Sequence, residues 1–240
     1  VASSDLRPRS RSRDLKIDWS VPLGSGIVAP YMFPAKYSFN INDTPNCTND
    51  YVVFGLNVTG ATGGQANLIG LRNLYSGTNP AGLCPGAAAT FYWAYNGSTA
   101  TGSVLTSPVV SLDGTKVAYV ESAAGSAVFH ILKWKSGEGT SATASAAPTL
   151  NGACTATSSC LKSIAFSPAS TATLASPWVD YSADKAFVGS DDGKIYRISC
   201  VFNCALNTQP VVEWTFALPV AGTGGASAQP HGPGSVAHDG

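Results

Sequence analysis

The side chains able to do chemistry in this 240-residue chain are few. Six cysteines stand at Cys47, Cys84, Cys154, Cys160, Cys200 and Cys204. An even number of cysteines in a chain rich in Gly, Ser and Thr points to disulfides, and so to an oxidising, extracytoplasmic compartment. Zinc would need tighter pairs, usually Cys-x-x-Cys with His nearby, whereas the closest pairs here are Cys154-x5-Cys160 and Cys200-x3-Cys204. Many connectivities are open to six cysteines. Proximity selects two short loops, Cys154 with Cys160 and Cys200 with Cys204, leaving Cys47 with Cys84 as the long-range pair.

Acid–base chemistry has little material. The histidines are His130, His231 and His238, and the glutamates are Glu121, Glu138 and Glu213. His130 lies inside the apolar run VFHILKW and reads as a packed or strand-surface residue rather than a base. His231, His238 and Asp239 fall in the Gly-rich stretch HGPGSVAHDG, where they read as non-specific rather than as metal ligands. There is no Gly-x-Ser-x-Gly elbow for a hydrolase. Gly60-Ala61-Thr62-Gly63-Gly64 lacks the Lys-Ser/Thr of a phosphate loop. Asp191-Asp192-Gly193 reads as a turn, since a calcium loop needs more widely spaced carboxylates. The expectation is a protein without catalytic residues, metal or cofactor.

Other candidate positions concern modification and association. Asn-x-Ser/Thr sequons occur at Asn42, Asn46, Asn57 and Asn96. Residues 1–16 carry Arg7, Arg9, Arg11, Arg13 and Lys16 against Asp5 and Asp14, a net charge of +3. The remaining residues carry nine basic and twelve acidic groups, or −3, so the whole chain is neutral. A neutral chain with 12% charged residues lacks the basic face of a nucleic-acid binder. No apolar run is long enough to span a membrane. The basic arm, with the strand around Trp19 that follows it, is a candidate for docking on an acidic surface of another copy.

The elements that must position these residues are strands. Gly, Pro, Ser and Thr interrupt every stretch that could show a helical period. Alternation is clear over Lys116–Glu121 and Lys194–Ile198, and apolar strands appear at 51–58 and 127–134. Asp113-Gly114 and Asp192-Gly193 are turn signals, because Gly tolerates positive φ. The strands repeat as a set: SPVVSLDGTKVAYVES from Ser107 matches SPWVDYSADKAFVGS from Ser176, and Ala118 aligns with Ala186, 68 residues on. An earlier copy aligns Val53 with Val120. Strands with Trp follow around Trp93 and Trp214, and another lies around Trp19.

Four antiparallel strands in tandem repeat is the pattern of a β-propeller blade, in which each sheet covers its neighbour. A pair of β-sandwiches is the alternative. The segment SPWVDYSADKAFVGSDDGKIYRIS followed by VVEWTFALP resembles the pyrroloquinoline-quinone-type propeller repeat. The resemblance covers 176–219 most closely, then 107–134, then 29–97. It implies a fold more than an activity, since that family includes quinoprotein dehydrogenases and non-enzymatic scaffolds. The quinoprotein enzymes pair about eight blades with a vicinal Cys-Cys disulfide and a Glu/Asn/Asp calcium site. This chain has neither adjacent cysteines nor that many repeats, so no quinone cofactor is expected.

The reading is therefore an all-β, propeller-like array of about three four-stranded antiparallel blades, open rather than closed. The blades are placed at 29–97, 107–167 and 176–219, with orphan strands at 15–23 and 232–240. Unpaired edges at the ends of such an array are templates for another chain. The expected function is an extracellular or cell-surface structural protein that associates head-to-tail with copies of itself into a filament or scaffold. The alternative is a fragment of a larger secreted propeller that binds glycans or proteins.

Overall fold

A computed structural model of the chain describes residues 18–30, 32–37, 44–78, 82–167 and 173–217. These form thirteen strands in three sheets and no helix. Sheet 1 is the antiparallel meander β1 (Ala35–Tyr37), β2 (Tyr51–Gly55), β3 (Leu68–Arg72) and β4 (Thr90–Tyr95). Sheet 2 contains β5 (Val109–Val110), β6 (Lys116–Ala123), β7 (Ser126–Lys133), β8 (Thr149–Leu150) and β9 (Cys160–Ser167), in the order β5-β6-β7-β9-β8. Sheet 3 is the meander β10 (Trp178–Asp180), β11 (Lys185–Gly189), β12 (Lys194–Ser199) and β13 (Val211–Ala217).

The repeat has a structural counterpart. Val109, Ala118 and Ile131 form one row across sheet 2, and Val179, Ala186 and Ile198 form one across sheet 3. Each sheet also shifts register between its third and fourth long strands, at Gly70/Leu71, Ala127/Val128 and Arg197/Ile198. A bulge at that place bends the outer strand and increases the local twist.

Alternation sorts the core into layers. On β6, Val117 and Tyr119 pack with Val53, Leu68 and Trp93 of sheet 1. Ala118 and Val120 on the same strand pack with Val179, Ala186 and Ile198 of sheet 3. Sheet 2 is thus sandwiched, which is why β6 and β7 are buried along almost their whole length. A third cluster covers the far face of sheet 1, where Ile69, Leu71 and Ala94 pack under Trp19, Val21 and Leu23.

Two points differ from the sequence expectation. Of the orphan strand expected at 15–23, residues 15–17 lie outside the described residues and 18–23 make no ladder. Pro22 has no N–H to give one, and the segment serves instead as a cover whose alternate side chains Trp19, Val21 and Leu23 face sheet 1. Sheet 2 has five strands rather than four, because β8 runs parallel to the start of β9. The loop between them, tied by Cys154–Cys160, carries the chain round so that two residues pair in the same direction. The expected strand at 232–240 lies outside the described residues.

Candidate functional site

The most polar constellation in the core spans three adjacent strands of sheet 2. The ladder places Tyr119 of β6, His130 of β7 and Ser163 of β9 in one row, with Glu121 two residues further along β6. Glu121 Oε2 lies 2.8 Å from His130 Nε2, and His130 Nδ1 lies 2.7 Å from Ser163 Oγ. Nε2–H donates to the carboxylate, and Nδ1 is hydrogen-bonded to the Ser163 hydroxyl, in a direction set by the protonation of the ring. The Tyr119 ring stacks on the imidazole at 5.1 Å, and its hydroxyl donates to the Gly97 carbonyl at 2.7 Å.

An acid–imidazole–hydroxyl chain is also the arrangement that activates a serine nucleophile. Here the carboxylate also holds the backbone of a neighbouring loop. Glu121 accepts the backbone N–H groups of Thr99 (2.9 Å), Ala100 (3.0 Å) and Gly102 (2.7 Å). Glu121 and His130 are both 0% exposed. Burial alone would raise the Glu121 carboxyl, but the hydrogen bond and charge of His130 and the N–H groups of Thr99 and Gly102 together hold it down to about 2. The carboxylate therefore acts as an anionic clamp that pins the 97–102 loop, between sheets 1 and 2, onto sheet 2.

The outer face of sheet 3 is the second candidate. Trp178, Phe187, Arg197 and Trp214 form one continuous cross-strand row. Trp178 and Phe187 ring centroids are 5.8 Å apart, and those of Phe187 and Trp214 are 6.0 Å apart. Ile195 pairs with Phe216 beside this row. Glu213, at the bulge, binds Lys185, and its Oε2 lies 2.8 Å from Arg197 Nε. The Lys185 hydrogen bond is the main cause holding its carboxyl below the ordinary range. Phe216 is 55% exposed, Val211 53% and Trp214 39%. The far face of sheet 1, by contrast, lies under Trp19, Val21 and Leu23.

The cysteines are joined as Cys47–Cys84, Cys154–Cys160 and Cys200–Cys204. Asn46 turns its Oδ1 inward to accept the N–H groups of Thr48 (3.1 Å) and Asn49 (3.0 Å). Asn96 donates to Thr62 Oγ1 and accepts from Ser98 N. Asn57 is exposed. Trp19 Nε1 donates to the Leu74 carbonyl at 3.2 Å, so within its own chain Trp19 is a packing residue. Asn42, Arg7, Arg9, Arg11, Arg13, Lys16, His231, His238 and Asp239 lie outside the described residues. Among the described residues, no group of three or more His, Cys, Asp and Glu side chains is placed to hold a metal.

Sequence reasoning read His130 as packed but missed its partners. The signal was available, because a turn at Gly125 puts position 119 opposite 130, and 121 one step away. Ser163 needed the β7–β9 register, which no local signal provides. No protein-family model, curated protein or solved structure matches the chain.

Proposed function

We propose that this chain is a non-enzymatic, extracellular structural module with propeller-like stacking of its sheets, and that it associates with further copies through the outer face and edge of sheet 3. The observation that carries the reading is the pair Trp214 and Phe216, exposed on β13 beside the half-buried Phe187 and Arg197, on a sheet whose other face is core. Within the molecule the same kind of apolar sheet face is covered by a neighbouring sheet or by the 18–23 segment. Exposed aromatic side chains such as Trp214 and Phe216 suit a docking surface, since burying them recovers the same hydrophobic free energy that stacks sheets 1 to 3.

Three disulfides suit an oxidising compartment. Contact between two different surfaces of identical chains is heterologous, and a heterologous contact whose rotation does not close builds a filament. The acidic body also complements the basic residues 1–16 of another copy.

The test is sedimentation velocity and negative-stain microscopy of the purified chain over a range of concentrations. The wild type is expected to form concentration-dependent oligomers, and the double variant Trp214→Ser with Phe216→Ser to remain monomeric with unchanged far-UV spectrum. A wild type that stays monomeric throughout overturns the reading. A chain lacking residues 1–16 separates the contribution of the basic arm.

A further inference from the structure

Sheets 2 and 3 enclose a wedge at the end where β6 starts, β7 ends and β9 starts. Three lysines of sheet 2 lie there on the face toward sheet 3. Lys116 is directly opposite Lys133 in the ladder, and Lys162 pairs with Ile131, one step away. Like charges directly opposite each other on a sheet are unfavourable, so each ammonium needs an answering group.

Two of them have one. Lys133 Nζ donates to the carbonyls of Thr155, Ala156 and Ser158 in the Cys154–Cys160 loop. Lys116 Nζ stands 4.0 Å from Asp113 Oδ2. Lys162 is 5% exposed and makes no hydrogen bond or ion pair with the described residues. The acid nearest to it in effect is Asp184, whose Oδ1 is already spent on the N–H groups of Phe202 (2.6 Å) and Asn203 (3.1 Å). Buried charges in proteins are paired, because an unpaired one gives up its hydration for nothing.

The lysines face a space. A cavity of about 20 Å³ is lined by Lys116, Lys133 and Lys162 together with Ile131, Cys160 and Leu206. A larger one of about 120 Å³ shares Lys116 and is walled by Tyr181, Phe202, Asp113 and Asn203. Burial, with the Lys116 charge second, lowers the Lys162 amine, while Asp184 acts in the opposite direction.

We infer that the wedge between sheets 2 and 3 is an anion-binding site, in which Lys162 and Lys116 take a small oxyanion group such as a carboxylate, sulfate or phosphate. The smaller cavity admits only the charged head. The larger one, beside Tyr181 and Phe202, has room for part of a molecule that carries it. Asp113 and Asn203 at its wall add an acceptor and a donor for hydroxyl groups.

Thermal unfolding of the full chain in sodium sulfate, phosphate, acetate or glucuronate, at ionic strength held constant with chloride, tests the site. The wild type is expected to show a saturable rise in midpoint. Glucuronate exceeding acetate assigns the larger cavity to the body of the ligand, whereas equal responses assign the site to the free anion. Lys162→Met, which keeps the length of the side chain and removes the charge, is expected to bind at least about tenfold more weakly. Without added anion it is expected to be at least as stable as the wild type. General salting effects act equally on both proteins and do not saturate. An unsaturable or absent response in the wild type, or the same saturable response in Lys162→Met, overturns the inference. Should Lys162→Met fail to fold, Lys116→Met carries the same comparison.

Discussion

Glu121 and His130, nine residues apart on the two arms of one hairpin, meet as a fully buried pair with Oε2 and Nε2 2.8 Å apart. The same carboxylate holds three backbone N–H groups of the 99–102 segment. One side chain thus ties together two strands of sheet 2 and the loop that arrives from sheet 1.

Removing that carboxylate takes the acceptor from the buried His130 Nε2 and from three backbone N–H groups, of which that of Gly102 is buried. Glu121→Ala is expected to lose about 3–5 kcal/mol in urea unfolding, the range for breaking a buried charged pair. The loss has a pH signature. The folded carboxyl titrates at about 2 against an ordinary 4.5, so its contribution is complete above 4.5 and disappears as pH falls from 4.5 toward 2. Stability measured between pH 2 and neutrality is expected to show this acid limb in the wild type and a much flatter one in Glu121→Gln. Matching curves for the two proteins would show that the clamp contributes nothing.

Gly70 is required by its neighbour across the sheet. A Cβ there would stand 2.3 Å from Cε2 of Trp93, which is 0% exposed and stacks on Trp134 at 6.1 Å. With no free direction for the indole, Gly70→Ala is expected to cost about 1–3 kcal/mol and to alter the near-UV circular dichroism of the Trp93–Trp134 pair. Unchanged near-UV ellipticity and an unchanged unfolding midpoint would refute the tight packing.

The three disulfides are expected to differ in worth. Cys47–Cys84 spans 37 residues, against 6 for Cys154–Cys160 and 4 for Cys200–Cys204. On the loop-entropy relation their removal costs about 4, 2 and 2 kcal/mol respectively. Paired Cys→Ala variants, compared by denaturant midpoint, check the order. The entropic ranking fails if the Cys47–Cys84 variant is the least affected of the three.

Among the described sequons, Asn57 is the one expected to carry a glycan. It is exposed, whereas Asn46 and Asn96 use their side-chain amides to hold local turns. Glycopeptide mass spectrometry of the chain secreted from a eukaryotic host is expected to find occupancy at Asn57 above that at either of the other two. Occupied Asn96 beside empty Asn57 would contradict this.

The strands were legible because their signals are local. Alternation marks Lys116–Glu121, and Asp-Gly marks chain reversals, since a turn needs only a few residues to form. The limit of local signals shows in the same dipeptides. Asp113-Gly114 joins the first two strands of sheet 2, whereas Asp192-Gly193 joins the second and third strands of sheet 3. The Trp19 segment looked like a strand by its likeness to the strands around Trp93 and Trp214, yet Pro22 and the face of sheet 1 make it a cover.

By itself, the sequence determined that the described residues are strands and turns on a repeated pattern, with six cysteines whose order pairs them into loops. A period of two sends alternate residues to opposite faces, but it does not say which face meets which sheet. Only the tertiary structure decided that Glu121 finds His130 and the 99–102 backbone, that Lys162 is buried with no hydrogen bond or ion pair among the described residues, and that Trp214 and Phe216 are exposed. Those outcomes depend on the register between β7 and β9 and on the stacking of whole sheets, both set by contacts between residues far apart in the chain.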